Sequence, residues 1–203
     1  RPGRFLCAPR MREQLQIAVA AADRAVARGD DAKSFEPVER RDRCVRGAAG
    51  DVLRQHAAFA RARPIFELLG KNIALLGGPG AGQHCKMANQ IAVAVGMVSW
   101  CEALTYAKRA GLDPAAVHAS ISGGAAGGWA MTNLAPRALA ENYDPGFYVK
   151  HIRKDMKIAL ESAAELKLAL PGLACAQQLY DQVAARGWED CGTQALYRLY
   201  LSL

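Results

Sequence analysis

From Gln83 to Ala110 the chain runs without a proline and with a single glycine, Gly96. As far as Cys101 its residues are apolar or small on nearly every side. A helix built this way has no face to give to water, so it must be buried, either at the centre of a helical domain or against a second copy of the chain. Ala88, Ala92, Ala94, Gly96 and Ser99 are small enough to let neighbouring helices come close. Gly111 stands where the helix should end, the usual place for a residue of positive φ. The longest uncharged apolar run, Ile91 to Cys101, is well short of the ~20 residues that cross a bilayer, so no membrane partner is expected.

The segments around this helix carry helical signals as well. Ala58 to Leu69 is amphipathic, with Phe59, Ile65, Phe66 and Leu69 apolar and Gly70 as its stop. Asp113-Pro114 is an N-cap with proline at the first helical position, opening a helix to about Ile121. Ser122 to Gly128 is glycine-rich, and Trp129 to Ala140 is expected to be helical around Pro136. Asp144-Pro145-Gly146 turns the chain. Lys154 to Leu168 has a helical apolar stripe, which Pro171-Gly172 should break. Leu173 to Arg186 and Gly192 to Leu203 complete a mainly α fold. Only Asn72 to Leu76 reads as a strand.

The chemistry concentrates just before and inside the long helix, in Gly77-Gly-Pro-Gly-Ala-Gly-Gln-His-Cys-Lys-Met-Ala-Asn-Gln90. Glycines let backbone approach a ligand closely, and a helix start offers free N–H groups and partial positive charge to an anion. Lys86, Asn89 and Gln90 stand at i, i+3 and i+4 and so share one helix face. An ammonium and two carboxamides near a glycine-rich turn make a pocket for a small anionic substrate. Spacing alone leaves a second reading open, an ordinary solvated lysine after a common turn. Gly78, Gly80 and Gly82 do not form the G-x-G-x-x-G dinucleotide fingerprint.

These residues resemble a family, the β-hydroxyacid dehydrogenases that include 3-hydroxyisobutyrate dehydrogenase. The second domain of that family opens with a pattern like G-x-G-x-x-x-K-x-x-N-N/Q, and Gly80-Ala-Gly82-Gln-His-Cys-Lys86-Met-Ala-Asn89-Gln90 fits it position by position. The resemblance runs from Arg61-Ala-Arg-Pro-Ile-Phe-Glu-Leu-Leu-Gly-Lys-Asn72 through Gly127-Gly-Trp129 and Asn133-Leu-Ala-Pro-Arg137 to Gly146-Phe-Tyr-Val-Lys-His-Ile-Arg-Lys154-Asp155-Met156. It implies the all-helical C-terminal domain of a 6-phosphogluconate-dehydrogenase-like architecture, preceded by a remnant of a Rossmann domain. The expected division is 1–57 for an atypical or partly disordered remnant, 58–77 for a helix and strand closing it, and 78–203 for a helical substrate and dimerisation domain.

It also implies hydride transfer between NAD or NADP and a small β-hydroxyacid. Oxidising the hydroxyl needs a base for its proton, and reduction needs an acid at the alkoxide. A lysine serves both steps where burial and positive potential ease its proton away. The resemblance assigns that role to Lys86, with Asn89, Gln90, Gly82, Trp129 and Asn133 at the substrate. Lys154, Asp155 and Phe147 fall on the cofactor side, in an element like K-D-L with methionine for leucine. A lysine and aspartate at a helix start would equally serve capping and dipole complementarity. Imine reductases of similar architecture generally replace the lysine that stands here as Lys86.

The first sixty residues depart from the family. Gln14 to Arg28 has helical spacing, and Gly29 to Gly50 reads as a charged loop or linker. Phe5-Leu-Cys-Ala-Pro9 echoes the start of a substrate-binding turn like D-A-P-V-S-G-G, but Arg10-Met11-Arg12 follows it. This stretch holds eleven Arg and one Lys against eight acids, while residues 61–203 hold seven Arg and seven Lys against eleven acids. Genuine divergence and a shifted reading frame both explain it. With no glycine fingerprint present, the chain reads as the carboxy-terminal part of an enzyme, and a non-catalytic dimerisation module is the alternative. The net charge of +7 suits anionic ligands, but no basic helix, zinc spacing or aromatic set points to nucleic acid. Six cysteines without a C-x-x-C pair argue for reduced, mostly buried thiols in a cytoplasmic protein and against a metal site, His84 beside Cys85 included.

Overall fold

A computed structural model of the chain describes residues 40–203, with side chains described at 52 and from 54 onward. The expected helix at Gln14–Arg28 and the turn echo at Phe5–Pro9 lie outside these residues. Eight helices are described: α1 Arg40–Leu69, α2 Ala81–Arg109, α3 Pro114–Ile121, α4 Trp129–Asn133, α5 Ala135–Leu139, α6 Val149–Glu165, α7 Pro171–Ala185 and α8 Ala195–Tyr200. The mainly α class therefore holds. The chain divides into two compact units at Lys86/Met87.

In the first unit the sequence reading needs two corrections. Arg40 to Gly50, read as part of a loop, belongs to α1; arginine and alanine, which recur there, are good helix formers. Pro64 is accommodated inside the same helix. Asn72 to Leu76 is not a strand, because no strand among the described residues offers it a ladder partner. On α1, Phe59 and Phe66 approach with ring centroids 6.0 Å apart, and Phe66 is buried, but Ile65 is exposed.

The second unit is organised by α2. Ala94, Met97, Cys101, Leu104 and Ala107 follow one another by steps of three and four, and each is at most 2 % exposed. Steps of this size keep one seam of a helix turned to its neighbours. Matching stripes close on it: Val149, Ile152, Met156 and Ala159 of α6, Leu173, Ala176, Tyr180 and Val183 of α7, and Leu196 and Leu199 of α8. The expectation of burial all round is half right, because Val95 and Tyr106 on the side of α2 opposite the seam are exposed, and so is Val93. By length and mean hydropathy (1.2 over an 18-residue stretch) α2 also has the composition of a membrane-crossing helix, which the reading by uncharged runs missed. A buried core helix satisfies the same composition.

Shorter elements follow local chemistry. Asp113 caps α3 through its carboxylate, which accepts from the N–H groups of Ala115 and Ala116 at 3.1 and 3.3 Å. The helix expected around Pro136 is two helices, α4 and α5, with Pro136 in the first turn of the second. Helix α6 begins at Val149, ahead of the expected Lys154, and the chain breaks over 166–170, so that Pro171 opens α7. Its start is fixed by the C-terminal segment: Val149 N–H donates to Cys191 O at 2.9 Å, and Thr193 N–H to Phe147 O at 3.0 Å. Arg153 ties α6 to Asp181 of α7 at 2.8 Å and to Glu189 at 2.6 Å.

Of the four described cysteines only Cys101 is buried, while Cys85 and Cys175 are exposed, so the expectation of mostly buried thiols is corrected. Both exposed thiols sit on outward helix faces. Burial first, and then the charge of Glu102, push the Cys101 thiol well above its ordinary range.

Three helices end in the same hydrogen-bond pattern. Leu112 N–H reaches Ala107 O, Leu168 N–H reaches Ala163 O, and Trp188 N–H reaches Val183 O. The residue before each takes positive φ: Gly111 at 81°, Lys167 at 56° and Gly187 at 78°. This is the Schellman ending, in which glycine avoids the steric cost of the left-handed conformation. Lys167 bears that cost. Replacing it, Lys167→Gly, is expected to stabilise the protein by about 0.5–1 kcal/mol, the left-handed penalty less the greater chain entropy of glycine. A thermal melt should show a rise of about 1–4 °C; an unchanged or lower midpoint would contradict the cap assignment.

Candidate functional site

Within the second unit, four of the residues singled out in the sequence lie on two helices that the core brings together. Gln90 falls on the apolar seam of α2, four residues before Ala94, and is 3 % exposed. Asp155 falls between Ile152 and Met156 on the inner stripe of α6 and is 7 % exposed. Gln90 Nε2 donates to Asp155 Oδ2 at 2.8 Å. Asn89 Nδ2 in turn donates to Gln90 Oε1 at 2.8 Å. On the outer side, the Lys154 ammonium stands 3.3 Å from Asp155 Oδ1.

A carboxylate withdrawn from water loses several kcal/mol of hydration unless donors replace the lost contacts. The buried Gln90 bond therefore carries more weight than the ion pair, since the Lys154 side chain is 64 % exposed and solvent screens it. Lys154 lies in the second turn of α6, which begins at Val149, so the alternative of a lysine and aspartate capping a helix start does not hold.

Phe147 precedes α6, is half-buried, and sets its ring 6.0 Å from that of His151. Trp129 and Asn133 form their own pair on α4, where Asn133 Nδ2 donates to Trp129 O at 2.8 Å. Trp129 is 65 % exposed. The turn leading into α4 requires glycine at Gly127, where a Cβ would fall 2.4 Å from Ser122 O. Gly82 and Lys86 belong to the first unit and occupy the first two turns of α2. That helix starts from Gly80, which takes φ of 93° and accepts from His84 N–H at 3.1 Å. Lys86 is half-buried. Along α2, Lys86, Asn89 and Gln90 keep the i, i+3, i+4 spacing of one face. Among the described residues no three His, Cys, Asp or Glu side chains gather to hold a metal ion.

Sequence reasoning missed the Gln90–Asp155 bond, which joins residues 65 apart. A signal existed. Each of the two polar residues interrupts an apolar stripe, and a polar group in a seam needs a buried partner. A further feature was also missed. Along α2, Val95, Val98, Glu102 and Tyr106 line an open groove of about 670 Å³ with Leu112 and Val117. Glu102 accepts from the Tyr200 hydroxyl at 3.0 Å. Burial, and then this bond, raise the Tyr200 pKa above its ordinary range.

Residues 80–200 match the family described as NAD-binding of NADP-dependent 3-hydroxyisobutyrate dehydrogenase. An oxidoreductase of Bacillus subtilis (strain 168), YkwC, is 53 % identical over 144 residues, covering 71 % of this chain and 50 % of that protein. The 2-hydroxy-3-oxopropionate reductase of Escherichia coli (strain K12) is 43 % identical over 140 residues, or 69 % of this chain and 48 % of that enzyme. A solved structure of Mycobacterium tuberculosis 3-hydroxyisobutyrate dehydrogenase with L-serine superposes with a TM-score of 0.65 at 26 % identity, covering 70 % of this chain and 51 % of that one. The chain thus spans about half the length of these relatives.

Removing the donor while keeping the volume, Gln90→Leu, takes the amide away from Asp155 Oδ2 inside the seam. Denaturant unfolding is expected to show a loss of about 1.5–3 kcal/mol, the range for a hydrogen bond to a charged group. A loss within 0.5 kcal/mol, roughly the scatter of a surface substitution, would mean that the bridge contributes little to the fold.

Proposed function

We propose a function from the premise that the chain belongs to the family of NADP-dependent 3-hydroxyisobutyrate dehydrogenase, whose match covers more than half of its residues. The whole protein oxidises the C3 hydroxyl of a short acid to an aldehyde, or runs that reaction in reverse, with NAD or NADP. The observation that carries this reading is the buried Gln90–Asp155 bridge, which sets Asn89 and Lys154 at its two ends. The relatives add chemical support. 2-Hydroxy-3-oxopropionate, 3-hydroxyisobutyrate and L-serine are all short acids with oxygen on the carbon next to the one bearing the carboxylate.

A nicotinamide nucleotide, when bound, accepts or supplies the hydride. The residues present fit such a ligand: Lys154 is a cation with three N–H donors, of which Asp155 takes one, so it can meet amide or phosphate oxygens. Phe147 offers a half-buried ring next to the start of the same helix. Lys86 takes the proton of the substrate hydroxyl during oxidation and returns it during reduction. Asn89 hydrogen-bonds the substrate, and Gln90 holds Asn89. Gly82, Trp129 and Asn133 border the substrate more distantly.

A second reading, a helical module that only associates with its own copies, is favoured by the groove along α2. Its exposed apolar residues, Tyr106 at 74 % and Leu112 at 55 % among them, remain uncovered in the single chain. Association does not exclude catalysis, and we place a homo-oligomer contact on this face.

In the full product of the gene, Lys86→Ala is expected to lower kcat by about 10²–10⁴-fold, the usual contribution of a general acid–base group, with unchanged circular dichroism. Near-normal turnover would remove Lys86 from the mechanism. For the contact face, Tyr106→Glu puts a charge in the groove beside Glu102 and should shift the species seen by sedimentation towards monomer. An unaltered oligomer would place the contact elsewhere.

A further inference from the structure

The bridge between α2 and α6 has a direction as well as a strength. An ionised carboxylate accepts hydrogen bonds and has none to give. Facing Asp155, Gln90 must therefore turn its Nε2 outward along the bond, as it does at 2.8 Å. Its Oε1 then points back towards α2 and accepts from Asn89 Nδ2. At 3 % exposure Gln90 has no water to satisfy the opposite arrangement. A carboxamide pair by itself runs equally well either way, since a half-turn exchanges N for O. One carboxylate thus settles the sense of two amides.

The consequence falls on Asn89, which is exposed. With one Nδ2 hydrogen committed to Gln90, it retains its Oδ1 acceptor and a second N–H for an outside molecule. Reversed, it would turn both NH₂ hydrogens outward and keep a single oxygen lone pair beside its bond to Gln90, a surface better suited to a bare carboxylate. We propose that Asp155 is a positioning residue, acting through Gln90 to present the Asn89 carbonyl oxygen to a hydroxyl donor on a small acid. This role rests on the dehydrogenase reading for its ligand, but not for the amide orientation itself.

A charge swap separates direction from mere packing. Asp155→Asn gives Gln90 a partner that can donate or accept, so both senses become available. Combining Asp155→Asn with Gln90→Glu exchanges the two groups. The asparagine then donates to the glutamate, the glutamate accepts from Asn89, and the net charge is kept. In ¹⁵N-labelled chain the Asn89 side-chain amide is expected to give one pair of resonances in the wild type. It should give doubled or broadened signals in Asp155→Asn and a single pair again in the swap. With 3-hydroxypropionate and propionate as probes, titration of the same signals should show about a ten-fold preference for the hydroxylated acid, the worth of one hydrogen bond. That preference should fall towards unity in Asp155→Asn and return in the swap.

A single unshifted Asn89 pair in Asp155→Asn would overturn the inference. So would doubled Asn89 signals in the folded swap, which keeps both hydrogen bonds of the bridge with their directions fixed. If the wild type binds neither acid, the dehydrogenase reading is what fails, and the amide signals still decide the orientation.

Discussion

The seam of α2 is the constraint that places everything else in the second unit. Met97, Cys101 and Leu104 are wholly withdrawn from water. Each large side chain so buried contributes about 1.5–3 kcal/mol relative to exposure, and no helix gains this alone. Helices α6, α7 and α8 take their positions because each carries a complementary stripe. The short α4 and α5 add Met131, Leu134, Ala135 and Ala138 to the same cluster. The site follows from this packing, because α6 brings Asp155 to α2 only by burying Ile152 and Met156 on either side of it.

This dependence explains which parts of the molecule could be read in advance. The long helix, its glycine stop at Gly111 and the Asp113 cap were legible because their causes are local: periodicity, positive φ and a carboxylate aimed at two N–H groups. The strand expected at Asn72–Leu76 was not, because a strand exists only by virtue of its neighbour. The start of α6 was misplaced for a related reason. Val149 to Arg153 holds only two apolar residues, Val149 and Ile152, too few to show a period, and what fixes its first turn is a backbone bond to Cys191, far along the chain. Lys167 shows the limit from the other side, since no propensity points to lysine where its two sister helix ends carry glycine.

At the site, residue types were legible and relations were not. The glycine-rich turn, Lys86 and the two carboxamides stand in one stretch of sequence, so their common face could be read from spacing. That Gln90 commits its amide inside the protein, leaving Asn89 as the outward group, depends on a partner on another helix. Trp129 and Asn133, grouped with the substrate by resemblance, are bonded to each other on the exposed face of a short helix.

The segment around α8 occupies the interior. From Gly192 to Tyr200 every residue except Arg198 is buried. The Gln194 amide holds the carbonyls of Asn142 and Asp144 at 3.1 Å each, and the Tyr197 ring lies with its centroid 5.7 Å from that of Trp100. A ribosome makes α2 first and α8 about ninety residues later. The earlier helix must therefore wait with part of its apolar seam uncovered until α8 has emerged. Translation halted just short of α8 would leave chaperones a surface that the further-grown chain hides.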